Sequence, residues 1–107
     1  MEVDVSLNEA ALEVAEKASR ALEKLIFSTG TPEDVFEELM KIDASTLLEK
    51  NWNKLTSEPK YYHHLDIFQA VMTLQDELLS QIEEMGIDSI KSDLENLDFA
   101  RQKIEEM

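Results

Sequence analysis

Leu7, Ala11, Val14, Ala18, Ala21 and Leu25 recur at spacings of four and three, the interval that stacks side chains on one face of an α-helix. The pattern predicts a first helix from Ser6 or Asn8 to about Phe27, with residues 1–5 as a frayed lead-in. Ser28-Thr29-Gly30 should stop it, because these residues accept turn and left-handed backbone. Three of the six seam positions are Ala and Ala15 lies beside them, so a neighbouring helix can approach closely. Thr31-Pro32-Glu33-Asp34 then reads as a helix start: Thr31 can cap, Pro32 suits the first helical position, and the two acids favour the positive end of the helix dipole. Val35, Phe36, Leu39 and Met40 form the apolar face of this short second helix. Asp43 and Ser45 offer a new cap for a third, which carries Leu47, Leu48, Trp52 and Leu55 and ends at Thr56-Ser57-Glu58-Pro59.

The longest periodic run goes from about Pro59 to Met85 and stops at Gly86, a residue favoured just past a helix end. Tyr61, Leu65, Ile67, Phe68, Val71, Met72, Leu74, Leu78, Leu79, Ile82 and Met85 would cover about half the circumference of this fourth helix. So wide a stripe requires two or more neighbours, and an excess of it favours a second copy of the chain. Asp88 or Ser89 should cap a fifth helix whose narrower face holds Ile90, Leu94, Leu97, Ala100 and Ile104. The expected fold is all-α: a small bundle of four to five amphipathic helices around a long central fourth helix, forming one domain over residues 1–107.

Composition agrees with the periodicity. Only two Gly and two Pro occur, whereas a strand-rich chain needs turn residues about every 8–12 positions. The apolar share of 43% suffices for one modest core. Cys is absent, which removes disulfides and thiolate chemistry and suits a reducing, cytoplasmic setting. Neither a secretory leader nor a membrane span is expected, since Met1 to Leu7 is acidic and no apolar run approaches about 18 residues. Twenty-four acidic against ten basic side chains give a formal charge of −14. Such a surface repels phosphate backbones, so direct nucleic-acid binding is not expected, while a basic protein partner is.

Candidate chemistry is sparse. His63 and His64 are the only histidines and point about 100° apart on a helix, which disfavours a shared metal ion. Neither has a Glu three residues before it, as carboxylate-bundle metal sites require. No cofactor is expected. His63 resembles the exposed histidine of helical phosphotransfer domains, but those domains place a Lys and a small residue just after the His, whereas the run here is His63-His64-Leu65-Asp66-Ile67-Phe68. Gly86-Ile87-Asp88-Ser89-Ile90 resembles the Ser-bearing segment of acyl carrier proteins. Those proteins carry about two further helices after that Ser, whereas one helix accounts for the 18 residues after Ser89. The alternative is a helix cap after a Schellman glycine. Trp52 is expected to anchor its short helix to the core.

Tyr62, Gln75 and Phe99 depart from their local pattern and, with His64, are the candidate interface. Gln75 falls within the apolar arc, where its amide needs partners that a second subunit could supply. His64 projects toward the same stripe. Tyr62 faces away from it, and Phe99 stands opposite Ile90, Leu94 and Leu97 on an acidic helix, the placement of an interface anchor. The leading expectation is a non-enzymatic, self-associating protein-interaction module acting as an adaptor, regulator or inhibitor. The rival is an inhibitor whose carboxylates imitate nucleic acid, as in phage anti-restriction or anti-CRISPR proteins. A small subunit or chaperone of a larger assembly is a third possibility.

Overall fold

Six α-helices and one 3-10 turn follow from these signals in a computed structural model that describes residues 4–107. No strand occurs among the described residues. The helices are α1 (Val5–Ile26), α2 (Pro32–Met40), α3 (Ser45–Lys50), α4 (Trp52–Ser57), α5 (Tyr62–Met85) and α6 (Asp88–Glu105), with the 3-10 turn Pro59–Tyr61 leading into α5. The all-α expectation holds. Counting α3 and α4 as one broken segment leaves five helical segments, with α5 the long fourth.

The helix ends show where local signals were sufficient. Helix α1 begins at Val5, earlier than Ser6 or Asn8, because the Asp4 carboxylate accepts from the Leu7 N–H at 3.1 Å. The expected fraying of residues 1–5 concerns, at positions 1–3, residues outside those described. At the other end, Ser28 takes the left-handed conformation at φ 57°. The Thr29 N–H reaches the Lys24 carbonyl at 2.8 Å and the Ser28 N–H the Leu25 carbonyl at 3.4 Å, the bond pair of a Schellman cap. Helix α2 has the expected start as a full capping box: Thr31 Oγ1 accepts from Asp34 N–H, and the Asp34 carboxylate accepts from Thr31 N–H.

Three expectations need correction. The third segment breaks at Asn51, whose side-chain amide donates to the Leu47 carbonyl at 2.9 Å, so α3 and α4 are separate. Trp52 is not a core anchor: it is 47% exposed, and Leu48 and Leu55 are the buried residues of the two short helices. Neither Asp88 nor Ser89 caps α6 through its side chain. The Ser89 hydroxyl instead donates to the Gly86 carbonyl at 2.8 Å and accepts from Gln81 Nε2 at 3.0 Å, tying the corner between α5 and α6.

Gly86 turns that corner at φ 83°, ψ 170°, a region that essentially only glycine occupies. A Cβ there would meet nothing within 4 Å, so conformation alone requires the glycine. Gly86→Ala should therefore lower unfolding stability by about 1–3 kcal/mol in urea titration. Ser28→Gly should raise it by about 0.5–1 kcal/mol, since the left-handed penalty is removed while the cap bonds remain.

Helix α5 touches each of the other five and sets the long axis: its 24 residues span about 36 Å of a molecule 43 × 24 × 20 Å in extent. Hydrogen bonds fix the directions. Asp4 N–H donates to the Tyr61 hydroxyl, and His64 pairs with Asn8, so α1 and α5 start together and run side by side. Gln81 bonds Asp93, and His63 meets Phe99, so α6 returns antiparallel to α5. Helices α2, α3 and α4 form the fourth arm, which returns from the end of α1 to the start of α5, giving a four-armed bundle with one arm in three pieces. The Ala seam of α1 (Ala11, Ala15, Ala18, Ala21) is buried, as expected for close packing.

The apolar arc of α5 is shielded unevenly. Tyr61, Ile67, Phe68, Val71, Leu74 and Leu78 are buried; Leu65, Met72 and Ile82 are half-buried; Leu79 and Met85 are exposed. On α6, Ile90, Leu97, Ala100 and Ile104 are buried and Leu94 packs against them.

Candidate functional site

The four candidate interface residues divide into two pairs. His64 is fully enclosed, its Nε2 2.6 Å from Asn8 Oδ1 and its ring edge-on to Tyr61 with centroids 5.1 Å apart. Because Asn8 Oδ1 can only accept, Nε2 carries the imidazole proton. Nδ1 is buried and has no hydrogen-bond partner. Burial, with the neighbouring His63 adding to it and Asp4 opposing, pushes the His64 pKa down to about 4, so the ring is neutral near pH 7.

Gln75 is half-buried, and its amide donates to the Leu39 and Ile42 carbonyls, both at 2.8 Å. The Leu39 carbonyl lies in the last turn of α2 and that of Ile42 just past it, and each also accepts a backbone N–H, from Ile42 and Ala44 respectively. Its partners thus come from the same chain, where a second subunit had been the expectation.

Tyr62 and Phe99 are at the surface, 49% and 55% exposed. The antiparallel return of α6 brings them to one end of the same hairpin, with His63 between the two elements. The His63 and Phe99 rings meet edge-to-face with centroids 5.9 Å apart, and the Lys103 ammonium lies 5.4 Å from the Phe99 centroid. Beside Phe99, a groove of about 260 Å³ opens between α5 and α6, bordered by Asp66, Ala70 and Asn96 and floored by Ile67, Leu97 and Ala100. Sequence reasoning missed Ala70 and Asn96. Asn96 lies one turn from Phe99 on α6 and Ala70 one turn from Asp66 on α5, a relation that acquires meaning only when the hairpin register is known.

Charge is concentrated on the same hairpin. Between Asp66 and Asp98 the sequence has nine acidic side chains against one, Lys91. Asp66, Asp76, Glu77, Glu83, Glu84 and Glu95 enter none of the ion pairs among the described residues. Helix α1 contrasts with this: Lys17 pairs with Glu13 and Arg20 with Glu16, while Lys24 bonds Glu38 of α2. Acids outside the ion pairs occur in both halves, but the stretch from Asp66 to Asp98 has a single cation among nine acids, so negative charge is densest on α5 and α6.

At the start of the bundle, the Lys54 ammonium bonds the Asp4 carboxylate at 2.8 Å. That bond holds the Asp4 pKa below the ordinary carboxylate value and raises that of Lys54. Together with the bond from the Asp4 N–H to the Tyr61 hydroxyl, it fastens the head of α1 to α4 and to the entry of α5. This tether had no sequence signal, because its members lie 50 and 57 positions apart.

Among the described residues, no three His, Asp or Glu side chains form a group able to hold a metal ion, and no helix is long and apolar enough to cross a membrane. The chain matches no family model, no curated protein and no solved structure.

Proposed function

We propose that this protein is a non-enzymatic, acidic protein-interaction module that works through the outer face of the α5/α6 hairpin and engages a basic partner. One observation carries most of the weight: the exposed ring of Phe99 lines a groove on the hairpin where negative charge is densest, and Tyr62 is exposed one helical turn before the groove residue Asp66. Solvated carboxylates steer a basic partner but give little net affinity, whereas large aromatics supply it when a partner covers them.

The test is affinity capture from the native host with wild-type protein and with a Tyr62→Ala/Phe99→Ala variant. The variant should keep the wild-type melting temperature within a few degrees, since neither ring belongs to the core. It should lose its partner by at least about tenfold, the effect of removing an interface anchor. Retention of the wild-type protein should also fall as salt rises. Equal capture by both forms would remove the hairpin face from consideration. If duplex DNA displaces the captured partner, the nucleic-acid-mimic role is favoured over a regulator or adaptor.

Self-association draws on a different surface. Phe27, Met85 and Ile87 are exposed at one end of the bundle, where α1 and α5 finish and α6 begins. Two copies of net charge −14 repel one another, so association there should strengthen with salt, opposite to the behaviour of a basic partner. Sedimentation equilibrium at low and high salt measures this directly, and a monomer throughout would remove the dimer.

A further inference from the structure

We infer that the occupant of the α5/α6 groove is a basic amphipathic helix of the partner protein, seated with its apolar residues against Phe99 and Ala70 and its cations toward the Gly86 corner. The inference rests on the protein-interaction role proposed above and specifies the shape and polarity of what binds.

Shape comes first. Every long described element is a helix, so no sheet edge is available for an added strand, and a peptide must be held by side chains. Two antiparallel helices leave a straight furrow between them. Along it the α5 positions one turn apart are Asp66, Ala70, Thr73 and Glu77, and α6 supplies Ser92 and Asn96 from the other side. Most of these side chains are short, which lets the backbone of a third helix come near. The furrow is open beside Asp66, Ala70, Asn96 and Phe99, and nearer the corner Gln81 bonds across it to Ser89 and Asp93, so a helix lying along the roughly 33 Å of α5 from Tyr62 to Glu84 enters it at the Phe99 end.

Polarity follows from chemistry that differs at the two ends. At the Phe99 end the groove is mostly aromatic and apolar, with the carboxylate of Asp66 at its border, and a cation of this chain, Lys103, already lies over the Phe99 ring. A Leu or Trp side chain can enter the groove there beside Ile67 and Ala100. Along α5 toward the corner the exposed carboxylates are Glu77 and Glu84, with Asp88 of α6 paired to Lys91 at 3.5 Å and the apolar Met85 and Ile87 exposed only at the tip. That end takes Lys or Arg. The fitting ligand has large apolar residues at i and i+4 in its first two turns along the groove, followed by basic residues on the same face.

The test uses two fluorescein-labelled synthetic peptides of roughly 20 residues and identical composition, measured by fluorescence anisotropy with the intact protein at physiological salt. One has the two-ended pattern; the other is a scramble that spreads its apolar residues around the helix. The patterned peptide should bind at least about tenfold more tightly, and amide chemical shifts should move most at Tyr62, Ala70, Asn96 and Phe99. Phe99→Ala should abolish the preference without changing binding of the scramble. Equal affinities, or shifts centred away from the hairpin, would overturn the inference by reducing binding to attraction between opposite charges. The host capture experiment separates the two levels. If the Tyr62/Phe99 variant loses a host partner while the peptides bind equally, the module stands and its helical ligand falls. If capture is unaffected as well, both fall.

Discussion

Phe68→Ala should destabilise the protein by about 3–5 kcal/mol, the range for emptying a buried aromatic site. Phe68 is fully enclosed and heads the largest enclosed side chains of the chain. It lies on the one helix that touches all the others, so a cavity there faces a junction of several elements with little freedom to collapse. Domains of this size are stable by roughly 5–15 kcal/mol, and the substitution would remove at least about a fifth of that. Urea unfolding followed by circular dichroism measures it. A loss under about 1 kcal/mol would mean that α5 is not the organising element. Phe99→Ala supplies the control: the same residue type, exposed on α6, should cost less than about 1 kcal/mol.

The second large effect is a pH dependence centred on His64. With a folded pKa of about 4 and an unfolded value near 6.5, the unfolded chain binds the extra proton between those limits and the folded chain does not. Stability is therefore full above about pH 6.5 and declines as pH falls toward 4, by about 3 kcal/mol in total. The structural cause is specific: Nε2 is already committed to Asn8, and a proton on Nδ1 would find no acceptor. Acidification also relieves repulsion among the many carboxylates, a change shared by any variant. The measurement is accordingly a comparison of urea unfolding at pH 7 and pH 4.5 for the wild type and for His64→Gln. The wild type should lose the larger amount, by about 2 kcal/mol or more. Parallel losses would contradict the assignment of a neutral, enclosed imidazole.

How much of this was readable beforehand depended on the range of the interaction. Thr31-Pro32-Glu33-Asp34 announced α2 because all the groups of a capping box lie within four residues. The buried stripes of α1, α5 and α6 were likewise visible, since helical periodicity is a local property. The break at Asn51 was not, because Leu47, Leu48, Trp52 and Leu55 keep the spacing of one helix even though the chain turns between them. Asp4 was assigned to a loose terminus since Lys54 and Tyr61, which hold it, are remote in sequence. Gln75 needed a partner, as its position implied, but only the fold could show that the end of α2 presents two carbonyls to it. Tyr62 and Phe99 were each recognisable as out of pattern, and the meeting of Phe99 with Ala70 and Asn96 in one groove required the register of the hairpin.

Placing a photoreactive phenylalanine analogue at position 99, with the same analogue at Glu9 on the exposed side of α1 as a control, tests the assigned working surface most directly. Irradiated in the native host, the protein carrying the label at 99 should give one dominant adduct with a basic protein, weakened by high salt, and the label at 9 should give none. Absence of an adduct at 99, or the same adduct from both positions, would contradict the assignment.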